Sequence, residues 1–180
     1  MSSPLAHADV GYLVYQPFRR LLPADKVLGI PARLAWPLAA IGLSLVPDLD
    51  VAVAWALGSL ERFHNNLTHS LLAALAVSLL LTPPLRWLTK APWKAGFGFI
   101  LACYVAHVGV DWVTHGRGVM LFWPFTTHRF LSPVTLFPGV PWASGLTDPL
   151  YRQMLIHDGC FAVLVILLVE LIRRRRALGQ

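Results

Sequence analysis

Charged side chains are scarce in this sequence. Asp, Glu, Lys and Arg make up 13% of its 180 residues, about half the share that is usual in soluble domains. Apolar residues fill 56% of the chain and the mean hydropathy is +0.60. This balance excludes an ordinary soluble domain and predicts an integral membrane protein. Because no internal repeat or hinge divides the chain, we expect residues 1–180 to form a single helical membrane domain.

Cysteine is scarce as well. The two cysteines, Cys103 and Cys160, lie in separate apolar segments and lack the paired spacing of metal-binding thiols. Neither a disulfide framework nor a zinc ribbon is therefore expected. The N-terminal stretch lacks a basic region followed by an apolar run and a small-residue cleavage site, so we expect no removable signal peptide.

Long apolar runs are present, and they predict the fold. Four apolar segments of about 14 to 20 residues are at or just below the length that crosses the hydrocarbon core. They are residues 34–47, 68–85, 95–114 and 159–172. Two further apolar stretches, 10–18 and 51–60, are too short to cross. The expected fold is an all-α integral membrane protein with about four transmembrane helices plus short or interfacial helices.

Basic residues are distributed unevenly between the two ends of the predicted bundle. Eleven of the fifteen lie at one end: Arg19, Arg20, Lys26, Arg33, Arg86, Lys90, Lys94 and the run from Arg173 to Arg176. The positive-inside rule places that end in the cytoplasm and predicts a multi-pass protein of a bacterial-type inner (cytoplasmic) membrane. The net charge of +6 is explained by attraction to anionic lipid. The lipid bilayer is thus an expected partner, and nucleic acid is not.

Histidine and aspartate residues concentrate at the other end of the bundle. His107, Asp111 and His115 follow one another at intervals of four, so on a helix they lie along one stripe, and His107 and Asp111 can bind one ion. Two further pairs lie at the ends of the neighbouring apolar segments: Asp48 with Asp50, and His64 with His69. Each motif alone is explained by capping or hydrogen bonding. Their convergence, in a setting where ionisable side chains are costly, predicts a metal site at this end.

The order of these motifs resembles the YdjM-like family of LexA-regulated, membrane-bound metal-dependent hydrolases. The matching elements are His7 with Gly11, Pro-Asp-x-Asp at 47–50, His-x-x-x-Thr-His-Ser within 64–70, His-x-x-x-Asp-x-x-Thr at 107–114 and Gly-Val-x-Leu-x-Trp-Pro-Phe at 118–125. The ordered set is specific, whereas no single element is. That family is similar in turn to the superfamily of zinc-dependent phospholipase C and single-strand nucleases, whose helical members bind zinc through His and Asp and cleave phosphoesters.

The resemblance implies a set of metal ligands. They are His7, Asp50, His64, His69, His107 and Asp111, with Asp48 as a ligand or as the partner of one. His115, which is on the stripe of His107 and Asp111, is a further candidate ligand. The soluble phospholipases carry a second His-x-x-x-acid motif, whereas His157-Asp158 has a different spacing. One or two ions are therefore expected instead of three.

The residue types also indicate the chemistry. Imidazole and carboxylate ligands without thiolate favour zinc, with manganese and iron as the other candidates. We expect a metal-dependent hydrolase in which a metal-activated water attacks an ester or phosphoester. Asp111 is expected to be essential for turnover, and Asp48 or Asp50 is expected to accept the proton of the water.

A loop with few charges follows the third apolar segment, at residues 119–125 and 130–142. Its Phe, Trp, Leu, Val and Pro residues predict an anchor at the membrane interface, and they would also suit a lipid or another amphiphilic phosphoester that enters sideways from the bilayer. Arg62, Arg117 and Arg129 are candidates for stabilising the negative charge that develops. Interfacial snorkelling is the simpler explanation of each of these arginines.

The alternative to a hydrolase is a non-enzymatic membrane metal-binding or transport protein, including a metal sensor or an assembly factor. A transporter is expected to carry ionisable residues near the middle of several spans, with access from both sides. The candidate ligands instead gather at one end, which favours a hydrolase. Haem binding by the histidines is a third alternative, and the interleaved carboxylates disfavour it.

Overall fold

The computed structural model describes residues 2–58, 64–140 and 148–178, with side chains up to residue 175. Its α-helices are α1 (Pro4–Phe18), α2 (Ala32–Ser44), α3 (Asp50–Ala56), α4 (Leu71–Thr89), α5 (Trp93–Trp112) and α6 (Pro149–Leu178). Two short 3-10 helices, Val46–Leu49 and Leu67–His69, precede α3 and α4. Within the described ranges, β contacts are limited to isolated bridges. The predicted all-α fold is confirmed.

The helices fit the expected number of membrane crossings. α4, α5 and the part of α6 up to Arg175 are each long and apolar enough to cross a membrane. The pair Ala32–Ser44 and Val46–Ala56 passes the same test as a fourth span, which is bent by 52° at its break. α6 begins at Pro149, ten residues before the predicted start at 159. Polar residues near its beginning predict a boundary, whereas the helix continues through them.

The bend in the fourth span follows from Pro47. Proline lacks a backbone N–H and disfavours the helical conformation of the residue before it. α2 accordingly ends at Ser44, and Asp48 lies in the 3-10 helix that follows. The short apolar stretch at 51–60 forms α3, which ends at Ala56; residues 59–63 lie outside the described part of the chain.

α5 lies at the centre of the bundle, where it contacts α1, α2 and α4, while α6 packs against α1. Gly11 lets α1 and α2 approach closely, because a Cβ there would lie 2.5 Å from Ser44 Oγ and 2.7 Å from the carbonyl oxygen of Ala40. The main apolar core fills the half of the bundle away from the candidate ligands. It includes Tyr15, Leu22, Trp36, Ala91, Phe99 and Cys103.

Candidate metal centre

Seven of the eight candidate ligands meet at one end of the bundle. They are His7 on α1, Asp48 in the first 3-10 helix, Asp50 at the start of α3, His64 in the following loop, His69 in the second 3-10 helix, and His107 and Asp111 on α5. All are buried except Asp48, whose side chain is 19% exposed. Residues that are distant in sequence therefore form one compact polar cluster within an apolar bundle.

Four of these side chains bring one atom each into a tight cluster, hereafter the four-ligand group: Asp48 Oδ1, His69 Nε2, His107 Nε2 and Asp111 Oδ2. His69 Nε2 lies 3.0 Å from the His107 nitrogen, 3.2 Å from the Asp111 oxygen and 3.5 Å from the Asp48 oxygen. His107 Nε2 lies 3.5 Å from Asp48 Oδ1 and 3.7 Å from Asp111 Oδ2. Tetrahedral zinc with bonds of about 2.0–2.1 Å separates its ligands by about 3.3–3.4 Å. The observed spacing fits such an ion.

Hydrogen bonds outside the group determine which imidazole nitrogen faces it. His107 Nδ1 lies 2.6 Å from the carbonyl oxygen of Ser44, which can only accept, so Nδ1 carries the hydrogen. Thr68 donates its hydroxyl hydrogen to Asp50 and therefore accepts from His69 Nδ1, 2.9 Å away. In the neutral form of each ring, the lone pair of Nε2 then faces the cluster. Metal-binding histidines are oriented by outer partners in the same way.

In the neutral form of both rings, none of the four atoms of the four-ligand group is a donor. Asp48 Oδ1 and Asp111 Oδ2 are buried and have no hydrogen-bond partner of good geometry among the described residues. Burial by itself would lower the pKa of His69, but its contacts with Asp111 and Asp48 outweigh burial and raise that pKa to about 9. Buried acceptors cost free energy unless they receive a proton or a metal ion. Two imidazoles and two carboxylates are a donor set that fits a divalent ion such as zinc.

His7 lies against the four-ligand group. Its ring stacks on that of His107, with 3.6 Å between the ring centroids. Together with Asp48, His107 and Asp111 it forms a group whose ligand atoms all lie within 4.8 Å of one another, so it could contribute to the same metal site. The carbonyl oxygen of His7 accepts a hydrogen bond of 2.8 Å from Ser44 Oγ, which ties α1 to α2 beside the site.

A second candidate group consists of Asp48, Asp50 and His64, and we call it the His64 group. Asp50 accepts hydrogen bonds from Asn65 N–H (3.1 Å) and from the Thr68 hydroxyl, and it also pairs with His64 Nδ1. These contacts leave His64 Nε2 4.0 Å from Asp48 Oδ1. Asp48 thus belongs to both groups, which is the position of a carboxylate shared between two ions.

His115 is not a member of either group. The prediction extended the third apolar segment to residue 114, whereas α5 ends at Trp112, so the stripe that carries His107 and Asp111 stops before His115. The side chain of His115 is exposed, and its backbone N–H donates to the carbonyl oxygen of Phe137.

Two of the three candidate arginines contact the loop that carries His64. Arg117 donates to the carbonyl oxygen of His64. Arg129 donates to Asn65 O, Gly118 O and Asn66 Oδ1. Burial, and then repulsion from Arg117, lowers the pKa of the Arg129 guanidinium from its ordinary value. The third candidate, Arg62, lies outside the described residues.

The contacts of Ser2 and of Asp158 around the site were not predicted from the sequence. Ser2 donates its backbone N–H to Asp111 Oδ1 at 3.0 Å, and its hydroxyl oxygen lies 2.8 Å from His7 Nε2. No sequence pattern marks such a serine. Asp158, to which Ser3 donates a hydrogen bond, is 1% exposed. The available signal was that a carboxylate inside an apolar span requires partners.

Comparison with known proteins agrees with this architecture. The profile of a family described as YdjM inner membrane protein matches residues 1–177. Inner membrane protein YbcI of Escherichia coli (strain K12) is 33% identical over 134 residues, which cover 72% of this chain and 76% of that protein. No solved structure matches the chain. The three or four apolar helices and these relatives identify a multi-pass inner membrane protein. The chain belongs to the YdjM inner membrane protein family.

Proposed function

We propose that this protein is a membrane-bound metal-dependent hydrolase. The observation that carries the proposal is the four-ligand group, in which two oriented imidazole nitrogens and two carboxylate oxygens lie 3.0–3.7 Å apart in the pairs measured from the two nitrogens. Such an arrangement is unfavourable in a buried site unless a proton or a metal ion is bound there. The donor set favours zinc, with manganese or iron as alternatives.

The two groups are suited to one or two ions. The four-ligand group is the more complete and the more deeply buried, so it would hold the first ion. The His64 group would hold a second, weaker ion, with Asp48 shared between them. The His64 group offers three ligands, so an ion bound there would keep a position open for water, and an ion with such a position lowers the pKa of the bound water to about 7.

The carboxylates of the site would then have different roles. Asp48 is suited to accept the proton of the attacking water, because it is the least buried of the three carboxylates and its Oδ2 is not part of the four-ligand group. Asp111 is fully buried and would remain a ligand, since Ser2 holds its Oδ1. Asp50 contacts the Asn65 N–H, the Thr68 hydroxyl and His64 Nδ1. It would therefore orient ligands and would not take up the proton.

The surroundings of the site favour an amphiphilic ester or phosphoester, including a lipid. Leu49 and Leu67 adjoin the ligand-bearing turns and are 66% and 51% exposed. Phe125, in the apolar loop, is 87% exposed. Apolar side chains around a polar centre at the membrane interface suit a substrate with a lipid chain. Arg117 and Arg129 contact the loop of His64, and their positive charges suit a phosphate.

We place the metal end outside the cytoplasm. Basic residues follow α1, begin α2 and flank the turn between α4 and α5, and they recur at the end of α6: Arg19, Arg20, Arg33, Arg86, Lys90, Lys94 and Arg173 to Arg175. All of these lie at the end opposite to the candidate ligands. The positive-inside rule therefore supports a cytoplasmic location for the basic end.

The apolar core supports a hydrolase over a transporter. In the described part of the chain, Trp36, Phe99 and Cys103 are buried in the half of the bundle beyond the metal centre. A permeation path would need ionisable groups or water at that depth. The buried polar side chains described there, Gln16, Ser78 and Thr82, instead donate to carbonyl oxygens of their own helices. The gathering of ligands at one end suits chemistry that is reached from one side only.

Turnover by the full-length protein in detergent tests the proposal. Bis(p-nitrophenyl) phosphate, p-nitrophenyl esters and phospholipid micelles are supplied with Zn²⁺, Mn²⁺ or Fe²⁺, with and without a chelator. We expect metal-dependent hydrolysis that Asp111→Asn abolishes while the fold is kept. Asp25→Asn, at an exposed carboxylate of the opposite end, is the matched control and should retain activity. Metal binding without turnover of any of these substrates would favour the non-enzymatic alternative.

A further inference from the structure

Ser2 and Ser3 connect the metal centre to α6, and we call this pair the N-terminal strap. Both residues are 3% exposed. Ser2 donates its backbone N–H to Asp111 Oδ1 at 3.0 Å, and its hydroxyl oxygen lies 2.8 Å from His7 Nε2. Ser3 donates its hydroxyl hydrogen to Asp158 Oδ2 on α6. The Ser2–Ser3 backbone and the hydrogen bonds at its two ends therefore connect α6 to Asp111 and His7.

Asp158 is unusual because it is a carboxylate within an apolar helix. It is 1% exposed, and its second oxygen lies 3.3 Å from His157 Nδ1. The third apolar cluster of the bundle joins α1, α5 and α6 at this end: Ala6, Val110 and Phe137, with Phe161 packed against them. A buried carboxylate in a membrane helix costs free energy unless its partners are fixed, and such residues are usually functional. The hydrolytic reaction proposed above does not use Asp158.

The strap determines which oxygen of Asp111 is available to a metal ion. The backbone N–H of Ser2 occupies Oδ1, and Oδ2 is left 3.2 Å from His69 Nε2 within the four-ligand group. The Ser2 hydroxyl also contacts His7 Nε2. Outer partners of this kind change the metal affinity of a site by about 10–100-fold, because they fix the orientation of the ligands.

We propose that Asp158 is a positioning residue of the metal centre. Its hydrogen bond with Ser3 holds the N-terminal strap, and the strap in turn orients Asp111 for metal binding. This inference rests on the proposed function in one respect, since it requires the four-ligand group to bind a metal ion. It gives α6 a role in the site, although none of the seven clustered candidate ligands lies on that helix.

Cobalt titration of the full-length protein tests this role. The protein is purified in detergent with a C-terminal tag that contains no histidine, so that neither the strap nor the metal content is disturbed. Co²⁺ binding is followed through its visible absorption bands, and competition with Zn²⁺ gives the zinc Kd. Asp158→Ala should weaken binding by about 10–100-fold and alter the bands. Asp158→Asn keeps an oxygen that accepts from Ser3 and should restore most of the affinity.

Two controls separate positioning from general loss of structure. Glu170→Ala removes a half-exposed acid of the same helix, one that pairs with Arg174, and should leave Co²⁺ binding unchanged. Ser3→Ala and Asp158→Ala each remove the hydrogen bond between Ser3 and Asp158, and Ser3→Ala also removes the N-cap that accepts from the Ala6 N–H. The double variant should therefore bind Co²⁺ no more weakly than the weaker of the two single variants.

The outcomes distinguish this inference from the proposed function. Unchanged affinity in Asp158→Ala, or additive losses in the double variant, would overturn the role of Asp158 and leave the metal centre in place. A wild-type protein that binds neither Co²⁺ nor Zn²⁺ would overturn both. If Asp158→Ala does not fold, Ser3→Ala takes its place and should bind about tenfold more weakly or worse. Equal affinity of Ser3→Ala and the wild type would then overturn the inference.

Discussion

Replacing Asp111 with Asn removes a charge from the four-ligand group and nearly preserves the shape of the side chain. The amide oxygen can still accept the backbone N–H of Ser2, which donates to Asp111 Oδ1 at 3.0 Å. Loss of the Asp111 charge removes the main cause of the raised pKa of His69 and favours its neutral form. The amide nitrogen would take the place of Oδ2, 3.2 Å from His69 Nε2, and could donate to the lone pair of that neutral ring. The metal-free fold should therefore tolerate the change, whereas metal binding should not.

The expected size of the effect follows from mass action. A metal ion at 100 times the wild-type Kd stabilises the folded protein by about 2.7 kcal/mol. Loss of an outer partner already weakens binding by about 10–100-fold, so loss of a charged ligand should weaken it by about 100-fold or more. The same metal concentration would then stabilise Asp111→Asn by about 0.4 kcal/mol or less. The difference of about 2.3 kcal/mol corresponds to roughly 5–9 °C in Tm for a chain of this length.

Thermal unfolding in detergent, with and without Zn²⁺, measures this difference. The wild type and Asp25→Asn, whose substituted carboxylate is exposed at the opposite end, should show the full metal-dependent rise in Tm. Asp111→Asn should lose most of it and should unfold near the wild-type Tm when no metal is present. An equal rise in Asp111→Asn would refute Asp111 as a ligand. A fall of several degrees in its metal-free Tm would refute the argument from shape.

Three further predictions concern protonation, a residue outside the site and helix packing. Metal affinity should rise by about tenfold per pH unit up to pH 9, because His69, whose pKa is raised to about 9, must lose a proton to bind a metal ion. Calorimetry in two buffers measures this proton release, and a metal affinity that does not change with pH would contradict the prediction. His115→Ala should leave metal content and turnover unchanged, because His115 lies exposed beyond α5. Gly11→Ala should lower the free energy of unfolding by about 1–3 kcal/mol, because its Cβ would lie 2.5 Å from Ser44 Oγ. Gly42→Ala, with no atom within 4 Å of its Cβ, is the control, and equal unfolding curves of the two variants would contradict that reasoning.

The spans were largely predictable because apolar length is a strong signal. Segments 68–85 and 95–114 correspond to α4 and α5 within a few residues. The predicted helix boundaries were wrong where local chemistry and packing compete. α2 ends at Ser44, ahead of Pro47, and α6 begins at Pro149, ten residues before the predicted start at 159. Hydropathy does not distinguish a polar residue at a helix end from one that is satisfied within the helix.

Much of the candidate site was predictable, because the His and Asp motifs lie at the same end of successive spans. The different roles of the residues within the site could not be predicted. Whether Asp50 contacts a metal ion or orients His64 depends on where the loop of residues 64–66 turns back, and no sequence spacing specifies that. The contacts of Ser2 and Asp158 join residues 109 and 155 positions apart. Such pairs depend on helix packing, which a single sequence does not reveal.

Metal content tests the central claim most directly. The wild type and a His107→Ala/Asp111→Ala double variant are purified in detergent without metal-affinity resin, and bound metals are measured by elemental analysis. We expect one to two equivalents of zinc, manganese or iron in the wild type and a loss of most of it in the double variant. Wild-type protein that holds no metal, even after reconstitution with these ions, would contradict the account and leave the cluster as a hydrogen-bonded network.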